Sequence, residues 1–296
     1  MYGVSTADLT HEKTTAWVQA WFGGLEDICP VSHALEQGID AWRCTVPANK
    51  RDLAAWRVAV GIAARKLAVV PHLFGTWLGA ASGACASPVS AADAELMDAY
   101  GLLVDIGTAT DPASDDAFYG LLGESVLHEL LTTFGHGLGR LALLEGHDWS
   151  SMDSGGDKLA IYGTPGARVF RLWESKMLRS TTKTAGDVVK GAADQLDVRA
   201  ASYIGRFSAS ASRSVKDEEL AGFIADIPRL WVDRDPCGGI GVSVTTHDVP
   251  TTQHPFGQLR THFNLPDSNK GGQLTLLGNV TAFGSAVKDT IWKGMV

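Results

Sequence analysis

The chain has 296 residues, 45% of them hydrophobic and 20% charged, a balance that suits a folded globular protein and excludes an intrinsically disordered one. Its net charge of -8 argues against a uniformly basic nucleic-acid-binding protein. No apolar run approaches the ~20 residues needed to cross a bilayer. The start "MYGVSTADLTHEK" lacks the basic-then-apolar layout of a signal peptide. The expectation is therefore a cytoplasmic protein with no membrane partner, whose Cys29, Cys44, Cys85 and Cys237 are free thiols.

In chain order, residues 1–115 read as a mostly helical region suited to partner docking or regulation. "RDLAAWRVAVGIAARKLAVV" from Arg51 is Ala-rich with apolar positions at helical spacing, and "SAADAELMDAYGLLV" begins on a capping Ser90. The tryptophans of this region (Trp17, Trp21, Trp42, Trp56, Trp77) read as core or partner interface on its helices. "GTATDPASDD", Gly107 to Asp116, is a loop or domain boundary. "DAFYGLLGESVLHELLTTFG" is an amphipathic helix stopped by Gly135.

Three strands follow: "RLALL", "KLAIYG" and "RVFRLWESK", the last two joined by the turn "TPGA". "EGHDWSSMDSGG" is a polar loop between the first two. Helices are expected from Ala185 and over "VKDEELAGFIADI", and a further strand, "GIGVSVTT", from Gly239. Helix, three strands, helix, strand implies an α/β fold with a mixed sheet and helices packed on it, filling 116–296 as a second domain with a C-terminal extension.

Residues two apart on a strand share a face, so Phe170, Leu172, Glu174 and Lys176 point one way, and the two charges stand at the rim of the core. Antiparallel pairing of 160–163 with 168–171 sets Asp157 opposite the Glu174 region. Two carboxylates ~4 Å apart repel by about 4 kcal/mol at an effective dielectric of ~20. A divalent cation relieves that repulsion, and a neighbouring lysine can orient a water or steady charge on a phosphoryl oxygen.

Gly-Asp, a hairpin, then Glu-x-Lys on the next strand, preceded by a helix bearing a glutamate, resembles the PD-(D/E)xK nuclease superfamily. That resemblance implies a restriction-endonuclease-like αβββαβ core and a metal-dependent DNA endonuclease. Asp157 and Glu174 would then hold Mg²⁺ (or Mn²⁺), and Lys176 would be the catalytic lysine. The helix glutamate maps to Glu124 by the E-x5-LL-x3-G spacing of Mrr-like members, whereas helical angle favours Glu129. Gly156 stands where the superfamily's name has proline. "RLWESKML" followed by a Lys- and Ala-bearing helix is similar to the HamA nuclease subunits of Hachiman anti-phage defence, which implies a helicase partner.

From Arg168 to Lys216 ten Lys or Arg face four Asp or Glu, a net of +6 that leaves -14 for the remainder. Under the nuclease reading Arg179, Lys183 and Lys190 would meet backbone phosphates. The competing readings are a solvated basic helix face, and a non-catalytic DNA- or protein-binding subunit that keeps the fold.

Overall fold

A computed structural model describes residues 25–67, 69–84, 88–145, 156–180, 182–247 and 254–296. The chain divides into two compact units, Met1–Cys29 with Val46–Glu129 and Gly278–Val296, and Pro30–Thr45 with Leu130–Leu277. Both units are assembled from separated segments of the chain.

The described part of the first unit is helical. It holds α1 (Leu25–Ile28), α2 (Arg51–Leu67), α3 (Pro71–Ser82), α4 (Ala91–Ala99), the greater part of α5 (Asp115–Thr133) and α8 (Val280–Lys293). Ser90 caps α4 by accepting the Asp93 N–H, as its sequence suggests. Helix α2 is buried over most of its circumference, which its alanines and Gly61 permit. Beside Gly61, α5 brings in Glu129, and a Cβ on Gly61 would press on Glu129 Oε1 and displace that carboxylate. That carboxylate holds Arg57 at 2.6 Å and Arg65 at 3.4 Å, and Arg65 also donates to Ser125 Oγ.

The second unit is built on a seven-stranded mixed sheet. Its strands are β1 (Val31–Glu36), β2 (Ile39–Thr45), β3 (Leu141–Glu145), β4 (Lys158–Tyr162), β5 (Val169–Leu178), β6 (Gly238–Thr246) and β7 (Lys270–Leu276), in the order β1-β2-β7-β6-β5-β4-β3. Strands β3, β4 and β5 form an antiparallel meander, and β5, β6, β7 and β2 run parallel. Helices α6 (Ala185–Ser214) and α7 (Glu218–Val232) stand between β5 and β6 in the chain. The α/β class and the mixed sheet agree with the sequence expectation. The region before residue 115, expected to be mostly helical, holds α1–α4 together with β1 and β2, and Trp42, expected on a helix, lies on a strand.

The two sheet faces differ. One carries Leu159, Ile161, Phe170, Leu172, Ile240, Val242 and Val244 into a core with Val189, Leu196, Ile204 and Phe207 of α6 and Leu220, Ile224 and Ile227 of α7. The buried residues of α6 recur at three- and four-residue steps, which turns one stripe of a 30-residue helix onto the sheet. The other face is buried but polar and aromatic: Arg171, Trp173, Ser243, Thr245, Gln273 and Thr275 lie along it in register. His136 stands among the rings of Trp42, Phe134 and Trp173 at 4.7–5.0 Å between centroids, and burial lowers its pKa to about 4. Cys29 is a buried free thiol and Cys237 a half-buried one, as expected; Cys44 is buried, and Cys85 is outside the described residues. No helix among the described residues is long and apolar enough to cross a membrane.

Candidate acid-pair site on the β4–β5 hairpin

The hairpin register is Lys158↔Trp173, Leu159↔Leu172 and Ala160↔Arg171. Continued by one residue, it sets Asp157 opposite Glu174. Residues directly opposed on antiparallel strands have Cβ atoms about 5 Å apart. Asp157 lies just before β4, and its backbone N–H donates to the Trp173 carbonyl at 2.8 Å. Its Oδ2 accepts the Ser175 N–H. The carboxylate therefore supplies the acceptor for an N–H of β5 at the point where β4 begins. Gly156 makes this entry possible: its φ is +116°, and a Cβ there would lie 2.8 Å from Leu172 Cδ1. The polar loop read at 145–156 falls mostly on residues outside those described.

Glu174 follows Phe170 and Leu172 on the apolar face, as the period of two requires. The sequence sets it at the rim of the core, but it is only 2% exposed. Strand β5 continues to Leu178 and is flanked by β6, with Glu174 beside Val242, so the position is interior. Lys176, two residues on, donates from Nζ to Glu174 Oε1 at 2.6 Å, with about a third of its side chain exposed. Glu174 Oε2 is buried and has no hydrogen-bond partner among the described residues.

The electrostatics follow from this arrangement. The Glu174 pKa is raised to about 7: burial is the main cause, the Asp157 charge adds to it, and Lys176 and the Gly156 amide oppose the rise. Burial also raises the pKa of Asp157, against the Ser175 N–H and the charges of Lys176 and Lys158. Each acid is thus easier to protonate than a free carboxylic acid, because two negative charges share a poorly solvated place. Lys158 is a part of this environment that sequence reasoning passed over. It is only 6% exposed, and the available signal was its place directly after Asp157.

The donor set suits a small hard cation: the Asp157 charge acts on Glu174, and one Glu174 oxygen lacks a protein donor among the described residues. Among the described residues no group of three or more His, Cys, Asp or Glu gathers to hold a metal. A pair of acids would leave most of the coordination sphere to water or substrate oxygens, which Mg²⁺ commonly retains.

The other expected site residues are placed as follows. Glu124 is half-buried on α5, in the first unit. Glu129 is buried on the same helix, with its carboxylate between Arg57 and Arg65. Lys183 is exposed just before α6 and Lys190 is exposed on it. They share their surroundings with Asp187, which closes the Thr184 capping box; hydrogen bonds from Thr184, then these two lysines, lower its pKa. Arg179 is half-buried after β5, and its carbonyl lies 3.2 Å from His247 Nε2.

No protein-family model and no curated protein matches the chain.

Proposed function

We propose that the protein is a metal-dependent endonuclease of the restriction-endonuclease-like, PD-(D/E)xK type that hydrolyses phosphodiester bonds in DNA. The observation that carries this reading is the convergence of Asp157, Glu174 and Lys176 at one end of the β4–β5 hairpin, with the lysine 2.6 Å from a buried glutamate. The order α5, β3–β4–β5 antiparallel, α6, then β6 parallel to β5 supports it, being the element order of that superfamily's core.

In this reading Asp157 and Glu174 would hold Mg²⁺ or Mn²⁺. The bound ion would neutralise the acid pair and make a coordinated water more acidic. Lys176 Nζ, on the solvent side of Glu174, orients the attacking water or faces the negative charge that grows on a non-bridging phosphoryl oxygen. The Ser175 N–H fixes the Asp157 carboxylate so that its second oxygen is available. The E-x5-LL-x3-G spacing of the resemblance names Glu124 as the helix glutamate. Lys183, Lys190 and Arg179 would meet backbone phosphates without reading sequence. A role in anti-phage defence beside a helicase rests on the HamA-like "RLWESKML" stretch.

The test is nicking of supercoiled plasmid by wild type, Glu174→Gln and Lys176→Met, with Mg²⁺ or Mn²⁺ and with chelator. Metal-dependent nicking lost by at least a hundredfold in both variants is expected, on the scale of removing a transition-state contact. Nicking that survives Glu174→Gln, or DNA binding by the wild type without cleavage under either metal, would overturn the catalytic reading; the second outcome points to a binding subunit.

A further inference from the structure

We infer that Lys176 is the resident counter-cation of the acid pair and competes with a divalent ion for Glu174, so that cation binding requires the lysine to swing away. This rests on the metal-site reading above and concerns what Lys176 does before any substrate arrives.

The geometry is specific. Glu174 has two carboxylate oxygens, and Lys176 Nζ takes one of them, Oε1, at 2.6 Å. The other, Oε2, has no protein donor among the described residues. The carboxylate is nearly sealed from water, while the lysine is about one-third exposed and so has solvent to retreat into. Lysine suits this exchange better than arginine: its ammonium is a compact point charge on four rotatable methylenes, able to leave one oxygen without dismantling a bidentate fork. Asp157 adds to the attraction, since Lys176 acts on both acids.

Two consequences separate this role from a purely catalytic one. A lysine acting only on water and phosphate leaves the cation affinity of the substrate-free protein unchanged. A lysine that occupies Glu174 lowers it, both by holding Oε1 and by repelling a second cation. Removing the ammonium then strengthens cation binding while cleavage is lost.

The experiment is calorimetric titration of substrate-free protein with Ca²⁺, a hard cation that takes the same oxygen ligands. It is run at pH 9, about two units above the Glu174 midpoint. The variants are Lys176→Met, Lys176→Arg and Glu174→Gln, each checked for its fold by circular dichroism. Lys176→Met is expected to bind Ca²⁺ about tenfold tighter than wild type, the lower end for a charge-assisted hydrogen bond to a partly exposed lysine. Lys176→Arg keeps the charge and stays at or below the wild-type affinity. Equal or weaker binding by Lys176→Met, with wild type binding normally, overturns this inference and leaves the metal-site reading standing. No binding by wild type or Lys176→Met, or full binding by Glu174→Gln, removes the metal-site reading and this inference with it.

Discussion

Replacing Glu174 by glutamine should stabilise the metal-free protein at pH 8 by about 3 kcal/mol. In the folded chain the Glu174 pKa is raised from 4.5 to about 7. An acid with a raised folded pKa binds its proton more tightly when folded. Stability is therefore intact below the unfolded value near 4.5, and it falls by about 1.4 kcal/mol per pH unit as pH rises toward 7. Above pH 7 the loss is complete, and the 2.5-unit difference converts to about 3 kcal/mol. Glutamine keeps the shape and cannot ionise, so its advantage is nearly absent at pH 4.5, grows between pH 5 and 7, and is constant above that. Urea unfolding of both proteins in chelator at pH 4.5, 6, 7 and 8 reads this directly. A wild type as stable as Glu174→Gln at pH 8, or a difference that does not shrink on acidification, refutes the placement of Glu174 in a buried site against Asp157.

The same pair of proteins separates cation binding from fold. At a Mg²⁺ concentration 100 times its Kd, the wild type should gain about 2.7 kcal/mol at pH 8 and Glu174→Gln almost nothing, read as a shift in urea midpoint. In the first unit, Glu129→Gln should cost about 3 kcal/mol in urea unfolding, because Arg57 is 1% exposed and loses its charged partner. Gly156→Ala should lose about 2 kcal/mol, from a left-handed φ combined with contact on Leu172, and should weaken Mg²⁺ binding because Asp157 is displaced. Under the nuclease reading, Lys183→Ala and Lys190→Ala should each reduce the slope of log affinity for DNA against log salt by about 1, equally for unrelated sequences, measured by fluorescence anisotropy.

What could be read from the sequence was what local chemistry fixes. The β4–β5 hairpin announces itself through two β-rich runs around "TPGA", and the pairing of Ala160 with Arg171 inferred from that turn is the register observed. Register in turn determines which residue opposes Asp157, so the acid pair was legible too. The depth of Glu174 was not, since it depends on β6 joining β5 from 60 residues downstream. Strand β7, "KGGQLTL", lies inside the sheet yet reads as a poor strand, because glycines there make room for rings. A Cβ on Gly272 would lie 2.1 Å from Phe256 Cγ. The β1–β2 hairpin did offer a signal that went unused. Gln37 and Gly38 form a two-residue turn with φ of 55° and 92°, between runs that alternate in character.

Glu129 shows where helical periodicity misleads. Its angle on α5 faces inward, and the residue is indeed buried, so periodicity locates it correctly. Burial of a carboxylate requires a partner, and there are two kinds: a fixed cation of the protein or a mobile one from solution. Arg57 and Arg65 are the fixed kind and stand 72 and 64 residues earlier on an Ala-rich helix, where nothing in the local pattern marks them. Glu174 differs in just this respect. Its cation is one lysine, about a third exposed and shared with a second acid, and one of its oxygens has no donor among the described residues. Over-neutralised Glu129 and under-neutralised Glu174 are equally buried acids with opposite prospects. Stripping the charge from the first should destabilise the fold at neutral pH, and stripping it from the second should stabilise it. Opposite signs in the two glutamine variants at pH 8 are the signature of that contrast, and equal signs would remove the reason for placing a cation site at Glu174.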